Sequence, residues 1–168
     1  NRIELDGAVS IHSVERYLGD LAIQKGWTFT KPRFTSGRRV LIIGAGPSGL
    51  SAAYQLARMG HEVEIRDSSD LPGGMMRYGI PEYRLPRSVL DAEIARLLDL
   101  GVRIVNNYTV KDLMADQAEG GFEATFVAIG AHLSKRVDIP NRDASKIVDA
   151  VSFLRDVASG ERPMIGRK

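Results

Sequence analysis

The stretch RVLIIGAGPSGLSAAYQLARMGHEVEIRD, residues 39–67, decides the fold. Val40-Leu41-Ile42-Ile43 is a continuous apolar run, as a buried strand of a parallel sheet requires. Gly44-Ala45-Gly46-Pro47-Ser48-Gly49 follows at once, and helical spacing then sets in through Leu50, Ala53, Tyr54 and Ala57 as far as Met59. Each glycine has its own physical task. Gly44 permits the tight turn out of the strand, Gly46 lets a pyrophosphate come close to the backbone, and Gly49 lets helix and strand pack closely. The free amides and the positive end of the helix dipole then face the phosphates, which makes Ala45, Pro47 and Ser48 part of the candidate site. After Gly60, Val63-Glu64-Ile65 reads as a second strand that leads to Asp67. Asp67 stands 23 positions beyond Gly44, close to the roughly 20 expected of an acid that binds a ribose hydroxyl. A glycine triplet alone is weak evidence. In the order strand, turn, helix, strand, acid it predicts an α/β domain with a Rossmann-like parallel sheet that binds a dinucleotide.

Working outward, the alternation of elements continues. Val89, Leu90, Ile94, Leu97 and Leu98 repeat at helical spacing behind a capping-box-like Ser88 and Asp91, and Gly101 stops that helix. Val102 to Val105 reads as the third strand and Thr125 to Ile129 as the fourth, with a short helix at 112–117 between them. Strand–helix–strand alternation implies right-handed parallel crossovers. Toward the N-terminus, Ser10 or Ser13 caps an expected helix that runs to about Lys25, with Val14, Tyr17, Leu18, Leu21 and Ala22 on one face and Gly26 as its stop. Trp27 and Phe29 are expected to pin that helix to the main domain. Asn141 to Lys146 reads as a polar connection, and Val148 to Val157 as the last helix.

Composition narrows the function. At 168 residues and 43% hydrophobic content the chain can bury one core. Its net charge of +2 comes from 23 basic and 21 acidic residues without a block of one sign, which gives no footing for nucleic acid or an acidic membrane surface. No apolar run is long enough to span a membrane and no signal-peptide pattern opens the chain, so a cytoplasmic location is the expectation. There is no cysteine, which excludes disulfides, a redox Cys pair and any iron–sulfur cluster ligated by this chain. The histidines His12, His61 and His132 lack metal-binding spacing. His132 is expected to have a surface or packing role, although it follows the glycine at the end of the fourth strand.

An adenosine-ribose acid does not distinguish NAD from FAD, and the next segment does. It runs Asp67, Gly73-Gly74, Tyr78-Gly79-Ile80-Pro81 and Arg84-Leu85-Pro86. This pattern resembles the glutamate synthase small (β) subunit family, which includes the flavin-binding part of dihydropyrimidine dehydrogenase and related NAD(P)H-dependent reductase subunits. The resemblance extends from about Ser10 to Lys168, and most relatives have Glu where Asp67 stands. It implies FAD as cofactor, with Gly74 and Met75 offering backbone contacts, Arg84 as the cofactor-contacting arginine, the backbone of Val110 near the adenine, and Gly130 close to the dinucleotide. It implies a division into an N-terminal arm and helix (1–36), the first part of an FAD-binding domain (37–160), and the start of an NAD(P)H-binding domain (161–168) opened by Gly166-Arg167-Lys168. It implies an oxidoreductase in which electrons pass from a nicotinamide through flavin to an iron–sulfur centre or partner subunit, so that no acid–base catalyst is named. This segment alone is then expected to lack NAD(P)H oxidation. The alternative is a non-catalytic flavin- or dinucleotide-binding scaffold or redox-sensing module in a larger complex. An NAD-binding dehydrogenase fits less well, because its acid is not followed by the Gly-Gly…Arg-Leu-Pro loop.

Overall fold

A computed structural model of the protein describes residues 4–135, 138, 140 and 147–164. The polar connection expected at 141–146 and the closing Gly166-Arg167-Lys168 lie outside the described residues. Helix α1 (Ile11–Gln24) precedes the sheet domain. The domain then runs β1 (Arg39–Ile43), α2 (Pro47–Arg58), β2 (Glu62–Arg66), α3 (Met75–Tyr78), α4 (Arg87–Asp99), β3 (Arg103–Val105), α5 (Leu113–Glu119), β4 (Ala124–Val127) and α6 (Ala150–Ala158). The four strands are parallel in the order β3-β2-β1-β4. Leu41 thus stands between Glu64 and Thr125 in register.

The expected α/β fold is the observed one, and the apolar run of β1 explains where the sheet sits. Leu41 and Ile42 are completely buried, facing opposite sides. Ile42, Val63 and Ile65 pack beneath α2 and α4 with Leu50, Ala53, Leu90 and Ile94. Burying each such side chain contributes about 1.5–3 kcal/mol. On the other side Leu41 and Ile43 meet Phe122 in a smaller cluster. Here β2 alternates, and Glu64 and Arg66 point to the side where β1 places Leu41 and Ile43. Buried Glu64 accepts from Arg66 Nε at 2.9 Å and Arg103 Nη1 at 3.0 Å. Arg66 also pairs with the buried carboxylate of Asp116 on α5. The cost of burying these charges is met because every one has an opposite partner.

Several local expectations change. The capping box of α4 does not form: Pro86 occupies the N-cap position, no side chain caps the helix, and Asp91 instead pairs with buried Arg77. A proline there pre-sets the backbone for entry, which leaves Asp91 free for the longer-range partner. Phe29 does anchor the N-terminal segment, with its ring 4.7 Å from that of Tyr54 and the Arg96 guanidinium 4.2 Å above it. Trp27 does not, since it is 52% exposed and it is its carbonyl that accepts from Arg96 Nε at 3.0 Å. His61 is half-buried and bonded to Ser36 Oγ through Nδ1 at 2.7 Å. Asp112 caps α5 by accepting from the amides of Met114 and Ala115. No helix among the described residues is long and apolar enough to cross a membrane.

Candidate functional site

A cleft of about 500 Å3 opens at the C-terminal ends of β1, β2 and β4. This is where a parallel sheet with a strand-order reversal offers a ligand site, because β1 sends its neighbours to opposite sides. Gly44, Gly46, Pro47 and Ser48 line its centre, Asp67 with Ser68 and Ser69 one end, and Gly130, Ala131 and His132 the other.

The glycine turn is built as its spacing requires. Gly44 has φ +106°, and a Cβ there would run into the Ala128 carbonyl just past β4. Gly49 faces the other way along the turn, and a Cβ would collide with the Gly44 carbonyl and stand 3.2 Å from Ile42 Cγ2. At Gly46 the nearest atom to such a Cβ would be Gly74 Cα, at 4.0 Å, so the backbone here is bare toward the cleft. Helix α2 begins at Pro47, which sets its first dihedral without costing a hydrogen bond. The helix start therefore lies inside the glycine motif, three residues before the apolar periodicity announces it.

Asp67 closes the turn from the side. Its Oδ2 accepts from the Ala45 amide at 2.6 Å and its Oδ1 from the Ser69 amide at 2.7 Å. The carboxylate fixes the loop geometry as well as presenting charge to the cleft. The loop after it also folds back onto the turn: the Gly73 amide donates to the Ala45 carbonyl at 2.8 Å. Gly74 adopts φ +51°, with a Cβ position only 2.7 Å from Gly46 Cα. Backbone contact this close admits no side chain at Gly74. Residues 75–78, which lie in the stretch read as a loop, make the single helical turn α3, and Met75 lines the cleft.

The site residues expected from sequence are mostly brought together. Gly44, Gly46, Pro47, Ser48, Asp67, Gly74, Met75, Val110 and Gly130 all line the cleft, while Ala45 and Gly49 are buried behind it. Arg84 is not brought in. It is exposed, absent from the cleft wall, and its guanidinium lies over the Tyr83 ring at 5.7 Å. Its neighbours do the bracing: Arg87 donates to the Ile80 and Met76 carbonyls at 2.8 and 3.1 Å, and Arg77 to the Pro72 carbonyl at 2.6 Å.

Three charged or aromatic cleft residues, Arg66, Tyr108 and Arg155, had no local signal in sequence, whereas His132 was marked only by its place after the strand-end glycine. Arg66 and Tyr108 stand at the Asp67 end, His132 and Arg155 at the other. The Tyr108 hydroxyl donates to Asp116 Oδ1 at 2.7 Å, and this bond holds the phenol above its ordinary pKa. Burial pulls Arg66 down, but the hydrogen bonds and charges of Glu64 and Asp116 outweigh it and its pKa is raised. Arg66 is accordingly a neutralised cation. His132 Nε2 donates to the Ile129 carbonyl at 2.6 Å, and its Nδ1 accepts from Arg155 at 3.2 Å. That tautomer follows because an arginine can only donate. Rather than packing at the surface alone, His132 ties the end of the fourth strand to α6 across the cleft mouth.

Fold and cleft together define a Rossmann-like dinucleotide-binding domain. Residues 42–116 match the NAD(P)-binding Rossmann-like domain. Within that class the chain is a homologue of glutamate synthase small chains and dihydropyrimidine dehydrogenase PreT subunits, at 33–39% identity over most of its length. It is 39% identical over 154 residues to glutamate synthase [NADH] of Schizosaccharomyces pombe, covering 89% of this chain and 7% of that one. It is also 39% identical over 154 residues to the NAD-dependent dihydropyrimidine dehydrogenase subunit PreT of Escherichia coli O157:H7, covering 91% and 37% respectively. The structure of Mycobacterium tuberculosis FprA in complex with NADPH shares the fold, with a TM-score of 0.61 and 22% identity over 71% of this chain and 28% of that one. The chain thus spans well under half of the length of these proteins.

Proposed function

We propose that the cleft binds FAD and that this chain is the first part of the flavin domain of an NAD(P)H-dependent oxidoreductase resembling the glutamate synthase small chain. The observation that carries the reading is the Gly73-Gly74 segment packed on the glycine turn beside Asp67. The bare backbone at Gly46 suits a pyrophosphate, and the Asp67 carboxylate suits ribose hydroxyls. The electrostatics speak against NADP in this cleft. A 2′-phosphate would meet Asp67, and the adjacent Arg66 is already spent on Glu64 and Asp116. The nicotinamide cofactor then belongs to a second site, and residues 161–168 are read as the start of the domain that supplies it.

FAD held here would supply the redox chemistry, with two-electron exchange on the nicotinamide side and one-electron exchange on the acceptor side. The protein's own part is to bind and orient. Gly44, Gly46, Pro47 and Ser48 hold the pyrophosphate on a turn that buried Ala45 and Gly49 shape from behind, Asp67 holds the adenosine ribose, and Val110 and Gly130 flank the two halves. Relatives named as subunits and small chains support a partner subunit as electron acceptor, and since this chain has no cysteine, an iron–sulfur centre in the path would be ligated elsewhere. The test is the chromophore of the full-length protein. It should be yellow, and acid release should yield FAD. A full-length protein that binds NAD(H) and takes up no flavin on reconstitution overturns the reading.

A further inference from the structure

We propose that Arg155, carried on α6 and oriented by His132, is the counter-cation for the distal phosphate of the dinucleotide, gripping it from the side opposite the glycine turn. The inference rests on the cleft being a dinucleotide site and extends it to a residue outside the turn-and-acid motif.

A dinucleotide brings two phosphate charges, whereas the start of α2 offers only about half a positive charge. Of the two cations lining the cleft, Arg66 is consumed by Glu64 and Asp116. Arg155 has no carboxylate partner among the described residues. Its contacts are neutral: His132 Nδ1 at 3.2 Å and the Tyr78 ring, whose centroid is 5.2 Å from the guanidinium. Neutral partners fix the plane of the fork and leave its charge uncompensated. A guanidinium has five N–H donors, and His132 takes one.

Position follows from strand order. Asp67 sits at the end of β2 and the glycine turn at the end of β1, so a dinucleotide anchored at both continues toward β4. Gly130 and His132 follow β4, and Arg155 reaches this end of the cleft through His132. The phosphate nearest to Arg155 is therefore the one remote from the adenosine. The platform beneath it is rigid: α3 starts against Gly46, and the Tyr78 hydroxyl at its end is bonded to the Leu71 main chain at 3.2 and 3.3 Å.

The experiment uses full-length protein stripped of bound cofactor and titrated with FAD, ADP and AMP. A charge-assisted hydrogen bond of about 1.5–3 kcal/mol converts to roughly a tenfold to hundredfold change in Kd. R155Q should weaken FAD and ADP by that factor, change AMP less than about threefold, and flatten the salt dependence of Kd for ADP. R155K should keep the salt dependence at intermediate affinity, and it carries the test if R155Q is less stable. Wild-type affinity and salt dependence in R155Q and R155K overturn the proposal, as does an equal loss for AMP and ADP. A wild-type protein that shows the Arg155-dependent preference for ADP but takes up no flavin would sink the FAD reading and leave the role of Arg155 standing.

Discussion

Replacing Asp67 separates two roles that coincide in one carboxylate. Asp67 accepts from the Ala45 amide at 2.6 Å and the Ser69 amide at 2.7 Å. Ala45 is completely buried, so Asp67→Ala leaves its N–H without an acceptor and without water. A hydrogen bond to a charged group is worth about 1.5–3 kcal/mol. The Ser69 amide is in a half-buried loop, where solvent can replace most of what is lost. The cofactor-free turn should therefore be destabilised by about 2–3 kcal/mol. Amide hydrogen exchange of a peptide spanning 40–50 reads this directly, and the loss corresponds to roughly 30-fold to 150-fold faster exchange. Asp67→Asn keeps one acceptor oxygen and should fall between wild type and Ala. Exchange unchanged in Asp67→Ala would show that the carboxylate does not hold the turn, leaving the ribose as its only employment. Dinucleotide affinity, measured separately on the same variants, should fall further than the exchange data alone account for.

Gly49→Ala should destabilise the domain by about 3 kcal/mol or more, since its Cβ would meet the Gly44 carbonyl and a β1 side chain that cannot retreat; a thermal midpoint within a degree or two of wild type would contradict the packing. Tyr108 should ionise above its usual value because its hydroxyl donates a hydrogen bond to Asp116. A raised folded-state pKa means that this contribution to stability is complete below about pH 10 and fades as pH rises through the folded value. Absorbance titration at alkaline pH, with Tyr108→Phe as the reference, checks the direction. Asp149 is depressed, first by the Ser134 hydroxyl and then by the Ser152 amide that it caps. Its contribution is present above about pH 4 and should be lost as pH falls through the lower folded-state value. In Asp149→Asn the helix signal of α6 should lose that acid dependence.

What could be read directly from the chain is local and periodic. The apolar run of β1, the three glycines and the 3.6-residue spacing of α2 each act within a few residues, so β1, α2 and β2 follow from the order of residue types. Asp67 was legible for the same reason, because a strand of fixed rise carries it to the end of the sheet. The irregular loop at 71–86 has no such period. Three arginines lie on or just beyond it, and nothing local tells that Arg77 is buried, Arg87 staples carbonyls and Arg84 faces solvent. Trp27 and Phe29 pose the same problem, as only the tertiary position of Tyr54 and Arg96 makes one an anchor and leaves the other exposed. The charge balance of the cleft is wholly tertiary. Arg66 meets Asp116 across 50 positions, and Arg155 meets His132 across 23. Sequence supplies each of these charges, but whether a cation is cancelled or left facing a phosphate depends on which distant segment the sheet brings beside it, and Coulomb energy in a partly buried cleft depends on that distance.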